Sequence, residues 1–503
     1  MMHSFLLTFL IFSPFIGLLF LLFIKKDKEK LIKWVGALST LLPLSVAWLI
    51  YIQVKTGRAY DSFLQQYEWF RFGYTESPTD LFSIQYEVGI DGFSLLLLLL
   101  TTTISTLAAF GSFSIKSGLK GYYALFLLLE VGMLGVFVAQ NLILFFIFFE
   151  LTLIPMFFLI GKWGGFDREK AAYTFLLYNG IGSAILLVVI MTLFAKTGTS
   201  NIAFLTDLLA NNELKIFTNQ EKWGLFLGLL IAFAVKLPVF PLHTWMVRVH
   251  VQAPPSIVML HAGILLKIGA FGLIRFGIGM FPREFSSLSM LIVILGIINL
   301  LYGAFLAWRQ DDLRKVLAYS SVSHMGIVLM GLGALNHAGV QGAIFQVISH
   351  GFISALLFFL VNALLERFNT SMISKLGGLA NTAPILSGVL LTGAMASLGL
   401  PGLSGFISEF MTFLGVFNTF PWLGALGTLG IIMTAVYMLK AVLNMTFGKQ
   451  SEHHVSKHDL YKGEIAIVSL FLLFILLIGV YPDVLTNMIE PSLQMIVEGL
   501  GGE

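Results

Sequence analysis

Long apolar runs separated by short polar connections repeat along the whole chain. A helix needs roughly 20 apolar residues to cross the hydrocarbon core. Runs of that length fall near 4–24, 31–53, 89–113, 121–139, 142–161, 171–195, 223–243, 255–279, 286–308, 315–335, 341–366, 384–410, 420–447 and 464–486. The pattern predicts an all-α polytopic membrane protein of about fourteen transmembrane helices. The longest connections, 54–88 and 196–222, hold no soluble domain and read as short loops or caps. Two runs are punctuated by proline: Val235-Lys236-Leu237-Pro238 in the seventh and Leu398-Gly399-Leu400-Pro401-Gly402 in the twelfth. Proline removes a ladder donor and clashes with the preceding turn, so both helices should break there. The breaks lie five runs apart and would occupy equivalent places in helices 4–8 and 9–13. An odd-numbered repeat inserts with opposite topology, and paired interrupted helices point to a transport site. The expected division is 1–113 (helices 1–3), 121–279 (first five-helix repeat), 286–447 (second repeat) and 464–503 (helix 14 and tail).

Composition agrees with the pattern. The 503 residues are 57% hydrophobic and 11% charged, with a mean hydropathy of +0.90, far more apolar than a soluble domain requires. A net charge of +3 does not suggest nucleic acid. With no cysteine, the chain has no disulfide, thiol chemistry or thiolate ligation of iron–sulfur clusters. Its first apolar run is followed, not preceded, by the cluster Lys25, Lys26, Lys28, Lys30 and Lys33. That order marks a retained helix rather than a cleaved signal. Lysine and arginine concentrate in this and the other odd-numbered connections, which puts those inside and both termini outside.

Against this background the intramembrane polar residues stand out. Lysine at the centre of a span costs roughly 2.5–3.5 kcal/mol on insertion scales. Lys236 sits immediately before the first break, and Lys267 lies well inside the eighth run, where snorkelling to the interface is less comfortable. Glu150, among aromatics in LILFFIFFELTLIPMFF, is costly to ionise without a nearby cation, and Lys236 is the obvious partner. His324 and His350 lie on consecutive helices between a lysine and a glutamate, with serines beside them. Histidine suits proton relay because it titrates near neutrality, although a single helical histidine is more often a hydrogen-bonded core residue. Glu409 follows the second break by eight residues and reads as a terminal proton site or a water-facing helix end. Glu130 is a further buried carboxylate without an assigned role.

Other polar residues read as bland. Arg275 and Lys440 lie near helix ends and should snorkel. Glu452, His453, His454 and His458 resemble a metal set but read as a solvated loop, leaving no metal site. His243 and His250 lie near the inner mouth, where they could admit protons but more commonly would be passive. The 47 phenylalanines read as lipid-facing or core filler. No phosphate-binding G-x-x-x-x-G-K-[ST], no dinucleotide fingerprint and no nucleophile elbow is present.

The segments FFELTLIPMFFLIGKWGG, AVKLPVFPLHTWMVRVHVQAPPSIVMLHAGILLKIGAFGLIRF, LAYSSVSHMGIVLMG and LPGLSGFISEF resemble the antiporter-like membrane subunits of respiratory complex I, the proton-translocating NADH:quinone oxidoreductase. The likeness is continuous from about Tyr86 to Glu409. It implies two inverted five-helix bundles and a lateral proton line of Glu150 with Lys236, then Lys267, His324 and His350, then Glu409. It also implies an integral protein of the bacterial cytoplasmic membrane, surrounded by other antiporter-like subunits and linked through the complex to a peripheral redox arm. NADH, FMN, iron–sulfur clusters and quinone would all belong to partner subunits, with no cofactor in this chain. Glu409 departs from the lysine usual in sister subunits and in multisubunit cation/proton antiporters. Membership of such an antiporter is the alternative reading, distinguishable by neighbouring genes. A purely structural scaffold would leave five mid-membrane ionisable groups unexplained.

Overall fold

The computed structural model describes residues 5–73, 81–211, 216–449 and 458–498. Backbone polar groups must be satisfied internally in lipid, so apolar runs of this length fold as helices. Among the described residues, twelve helices are long and apolar enough to cross a membrane. In the first half they are α1 (Leu6–Phe23), α2 (Glu29–Lys55), α3 (Gly92–Ser114), α4 (Leu119–Val138), α5 (Leu142–Trp163) and α6 (Arg168–Thr197). A shorter α7 (Ile202–Asn211) precedes the interrupted pair α8 (Asn219–Lys236) and α9 (Thr244–Gln252). Then follow α10 (Pro255–Ile278), α11 (Ser289–Trp308), α12 (Leu313–Gly333) and α13 (His337–Phe368). The second interrupted pair is α14 (Pro384–Ser397) and α15 (Ser404–Thr419). The chain closes with α16 (Pro421–Thr446), α17 (Lys462–Val480) and α18 (Asp483–Glu498). Both proline-marked runs are therefore interrupted where the sequence places the breaks.

Helices apolar all round belong in the interior, and α10 and α13 are buried throughout their apolar windows. They meet where Gly263 and Gly351 face each other: a Cβ on Gly351 would lie 3.0 Å from the Gly263 carbonyl oxygen. The approach is equally close between α10 and the end of α8, because a Cβ on Gly269 would lie 2.6 Å from the Leu237 amide nitrogen. Glycine at these positions lets α10, with Lys267, pack closely against both α13 and the Lys236 end of α8.

Three details differ from the sequence expectation. The connection read as a loop at 54–88 contains an antiparallel hairpin, β1 (Gln65–Gly73) and β2 (Leu81–Val88), with a register irregularity between Glu68 and Phe70. Its aromatic residues had no membrane-length run to reveal them. The 196–222 connection contains α7, whose ten residues are too few to span. The last predicted run, 464–486, stops at Val480, and Asp483 starts a separate amphipathic helix, α18.

Glu87 ties the hairpin to the helices. Asn201 Nδ2 donates to both its oxygens at 3.0 Å, Gln66 Nε2 to Oε1 at 3.1 Å, and Asn141 Nδ2 to Oε2 at 3.5 Å. Asn141 in turn caps α5, and Asn201 accepts from the Phe204 amide at 2.8 Å at the start of α7. Burial pushes the Glu87 carboxyl above the usual carboxylate range, opposed by these hydrogen bonds. Glu87→Ala should leave both asparagines short of an acceptor and destabilise the fold by about 2 kcal/mol. The measurement is thermal unfolding of the purified assembly; an unchanged midpoint would refute the role.

Candidate functional site

The site begins at the first break. Helix α8 opens on a Thr218–Glu221 capping box and ends at Lys236; α9 resumes only at Thr244. The freed backbone groups need partners inside the protein. Asn299 of α11, fully buried, supplies two: its Oδ1 accepts from the Phe240 amide at 2.7 Å, and its Nδ2 donates to the Pro238 carbonyl at 3.2 Å. Trp245 Nε1 donates to the Val235 carbonyl at 3.2 Å. The break is thus a built structure.

Lys236 is buried, and its Nζ lies 4.7 Å from the centroid of the Phe149 ring, a cation–π arrangement. Glu150 is the next residue along α5. One of its oxygens is buried without a hydrogen-bond partner. The direct ion pair expected from sequence is not formed; the lysine packs on the aromatic neighbour of the carboxylate instead.

Lys267 is 0% exposed. It lies between two π-helical turns of α10, His261–Leu265 and Leu273–Ile278, irregularities common at functional sites. Its Nζ donates to the Ala262 carbonyl at 2.7 Å and lies 2.6 Å from His350 Nδ1 on α13. A contact that short requires one nitrogen to donate and the other to offer a lone pair. The two bases therefore hold a single proton between them along this bond.

Further ionisable groups lie beyond His350. The rings of His350 and His324 are 5.4 Å apart, and His324 Nδ1 lies 3.7 Å from Glu409 Oε1. Gln346 Nε2 lies 3.0 Å from the same His324 nitrogen, Ser397 Oγ lies 3.1 Å from His324 Nε2, and Ser408 donates to Gln346 Oε1. A cavity bordered by His324, His350, Ser397 and Glu409 has about 10 Å³ of room, the scale of a single water. A second of about 10 Å³ lies between His350, Ser320, Ser354 and Ser397. The spatial order is Lys267, His350, His324, Glu409, so the two histidines are reversed relative to their order in the chain. The second break forms one wall: Gly399 (φ +76°) turns the backbone, and a Cβ there would lie 2.5 Å from Glu409 Oε2.

His250, His243 and Arg275 depart from their sequence readings, whereas Lys440 does not. His250 is not a passive loop residue: it is buried in α9 and its Nε2 lies 2.9 Å from Nδ1 of buried His261. His243 is also buried, stacked against Phe240 with ring centroids 5.9 Å apart. Arg275 does not simply snorkel; it pairs with Asp91, the cap of α3, and donates to Gln140 Oε1 at 3.0 Å. Lys440 is exposed and reaches the Trp308 carbonyl at 3.4 Å. Glu130 is fully buried on α4 with neither carboxylate oxygen hydrogen-bonded. Of the metal-like loop set, Glu452, His453 and His454 lie outside the described residues. Asn299, Gln346 and His261 were not singled out from sequence. Buried amides carry no insertion penalty comparable to a charge, and His261 has the look of an ordinary core histidine.

Comparison with known proteins places these residues in a wider setting. Residues 139–434 match the family model described as NADH:quinone oxidoreductase/Mrp antiporter, TM. The chain is 37% identical over 475 residues to NADH-quinone oxidoreductase subunit M of Rhodobacter capsulatus, covering 93% of this chain and 90% of that one. It is 39% identical over 423 residues to NAD(P)H-quinone oxidoreductase chain 4 of Gloeobacter violaceus, covering 82% and 80%. Among solved structures, a chain of respiratory complex I from Thermus thermophilus with bound NADH superposes with a TM-score of 0.85 at 30% identity, over 99% of this chain and 100% of that one. A chain of the Mrp complex from Dietzia sp. DQ12-45-1b shares the fold, with a TM-score of 0.80 at 20% identity over the same shares.

The first break gives a direct test of its own construction. Asn299→Leu keeps the volume but strands the Phe240 amide and the Pro238 carbonyl, for a loss of roughly 3 kcal/mol. Thermal unfolding should report it as a lower midpoint; wild-type stability would mean the break is satisfied without Asn299.

Proposed function

Because the chain belongs to the NADH:quinone oxidoreductase/Mrp antiporter family of membrane subunits, we propose that it is a proton-translocating subunit of the membrane arm of an NADH:quinone oxidoreductase. The observation that carries this reading is the buried set of Lys267, His350, His324 and Glu409, in which each group neighbours the next. Protons would enter at Lys236, pass to Lys267, cross to His350 and His324, and leave from Glu409. Glu150 would bias Lys236 through its field, holding the proton while ionised and close, and releasing it when neutralised or withdrawn. Moving one charge against 100 mV requires about 2.3 kcal/mol, so coupling to electron transfer must deliver at least that. Electron transfer itself would occur in partner subunits holding NADH, FMN, iron–sulfur clusters and quinone. The histidine–glutamate end would serve this role with a water completing the step, since His324 Nδ1 lies 3.7 Å from Glu409 Oε1 and the adjoining cavity of about 10 Å³ has room for about one.

The two interrupted helices would be equivalent parts of two inverted five-helix repeats, 121–279 and 286–447. Both termini would face the outside of a bacterial cytoplasmic membrane, with neighbouring antiporter-like subunits on either side and the peripheral arm reached through the complex. The relatives named as oxidoreductase subunits, at 37% and 39% identity, support this over a free-standing antiporter, for which the Mrp likeness supplies the fold alone.

In membrane vesicles carrying the assembled complex, Lys236→Ala should abolish most NADH-driven proton uptake. Unimpaired pumping with an intact complex would reject the assignment. Glu409→Gln, which keeps the shape but removes the ionisable group, should lower uptake about tenfold or more. An unchanged rate would remove Glu409 from the line.

A further inference from the structure

A groove of about 870 Å³ opens between α2, α3, α13 and α17, with walls that include Leu107, Phe110, Phe359, Ile467, Leu470 and Phe474. Its lining runs from Thr103 to Ser114 on α3 and from Gly463 to Phe474 on α17. Each stretch is about 16 Å long at a rise of roughly 1.5 Å per residue. Half of a hydrocarbon core of about 30 Å is roughly 15 Å, so the groove is about one leaflet deep. Trp34 and Leu470, both on its border, are 51% and 44% exposed. The chain itself leaves the groove uncovered.

Charge gathers at one end of it. There Asn362 Nδ2 donates to Ser114 Oγ at 3.3 Å and to Glu366 Oε1 at 3.0 Å. Arg367 and Glu464 pair with each other, and the Arg367 guanidinium lies 5.0 Å from the centroid of the Tyr461 ring. Glu366 is exposed and takes part in none of the ion pairs among the described residues. Lys33 Nζ donates to the carbonyl of Phe113, which lines the same end, at 2.7 Å. An ammonium carries three donors, so two remain. Trp34 meets the Phe113 ring edge-on at 5.4 Å, an aromatic of the kind that sits at headgroup level.

Apolar walls one leaflet deep, ending in one cation and one carboxylate without a counter-ion, complement a zwitterionic lipid. We propose that the groove is a binding site for a phospholipid with an ethanolamine headgroup. Its acyl chains lie along α3 and α17, its phosphate accepts from Lys33 Nζ, and its ammonium donates to the Glu366 carboxylate. A primary ammonium makes that hydrogen bond and a quaternary one does not. The ring that could instead take a quaternary ammonium by cation–π contact, Tyr461, already faces Arg367. An anionic headgroup without an ammonium would leave Glu366 unpaired. The site is separate from the proton line and does not rest on it.

The test photolabels the assembled complex in liposomes with three phospholipids. All carry a diazirine on the same acyl chain, and their headgroups are ethanolamine, choline or glycerol. Peptide mapping should find the ethanolamine lipid on segments 103–114 and 463–474 about threefold more than the other two, the scale of one exposed ion pair. Glu366→Gln should bring the three lipids to equal labelling, whereas Glu366→Asp should keep the preference. Leu470→Trp, which puts bulk into the groove, should remove most label from these segments and leave labelling elsewhere unchanged. Ala466→Trp takes its place if that variant does not assemble. Absence of label from both segments, as a neighbouring subunit seated on the groove would give, overturns the site. Equal labelling by the three headgroups in the wild type, or an unchanged preference in Glu366→Gln, overturns it as well.

Discussion

An ammonium group in the middle of a membrane must find partners in the protein, and Lys267 shows what that demands. Its side chain is wholly enclosed, so α10 departs from regular α-geometry on both sides of it. The wider turn lets the Ala262 carbonyl take a side-chain donor, while α13 brings His350 to the remaining side. Close helix contact at Gly263 and Gly351 is what permits that reach. The interior of the molecule is arranged around keeping this one nitrogen bonded.

The two breaks solve a related problem by different means. At the first, a buried amide, Asn299, serves as a substitute for the lost helical ladder and leaves Lys236 at the helix end. At the second, glycines at 399 and 402 with positive φ turn the chain, and the Leu400 amide returns to the Met395 carbonyl at 3.0 Å. The first break holds a cation beside it, and the second leaves space for a carboxylate. That asymmetry matches the order in which the proposed line would receive and release a proton.

Much of this was legible because charge in hydrocarbon is expensive. Lys236, Lys267 and Glu409 announce themselves in apolar runs, and Leu-Pro steps announce the breaks. What stayed hidden has physical reasons. Chain order does not give spatial order, so His350 and His324 were reversed. Hydrogen-bonded amides such as Asn299 and Gln346 are cheap to bury and look like any other polar residue. The π-turns form in the packed interior, and nothing in HAGILLKIGAFGLIRFGI distinguishes them from regular helix. Opposite charges in neighbouring apolar runs suggest a direct pair of Glu150 and Lys236, and the pattern does not show that the Phe149 ring competes for the lysine. The paired strands at Gln65–Gly73 and Leu81–Val88 lie outside the apolar runs that dominate the pattern.

The short contact between Lys267 and His350 sets a limit on occupancy. Two positive charges 2.6 Å apart would repel by about 6 kcal/mol at an effective dielectric of about 20. That exceeds the roughly 2.3 kcal/mol needed to move a charge against 100 mV. A newcomer therefore cannot settle beside a resident; it must evict it. In the proposed proton line, the centre of the molecule would act as a single-occupancy turnstile, in which each arrival supplies the force for the previous departure.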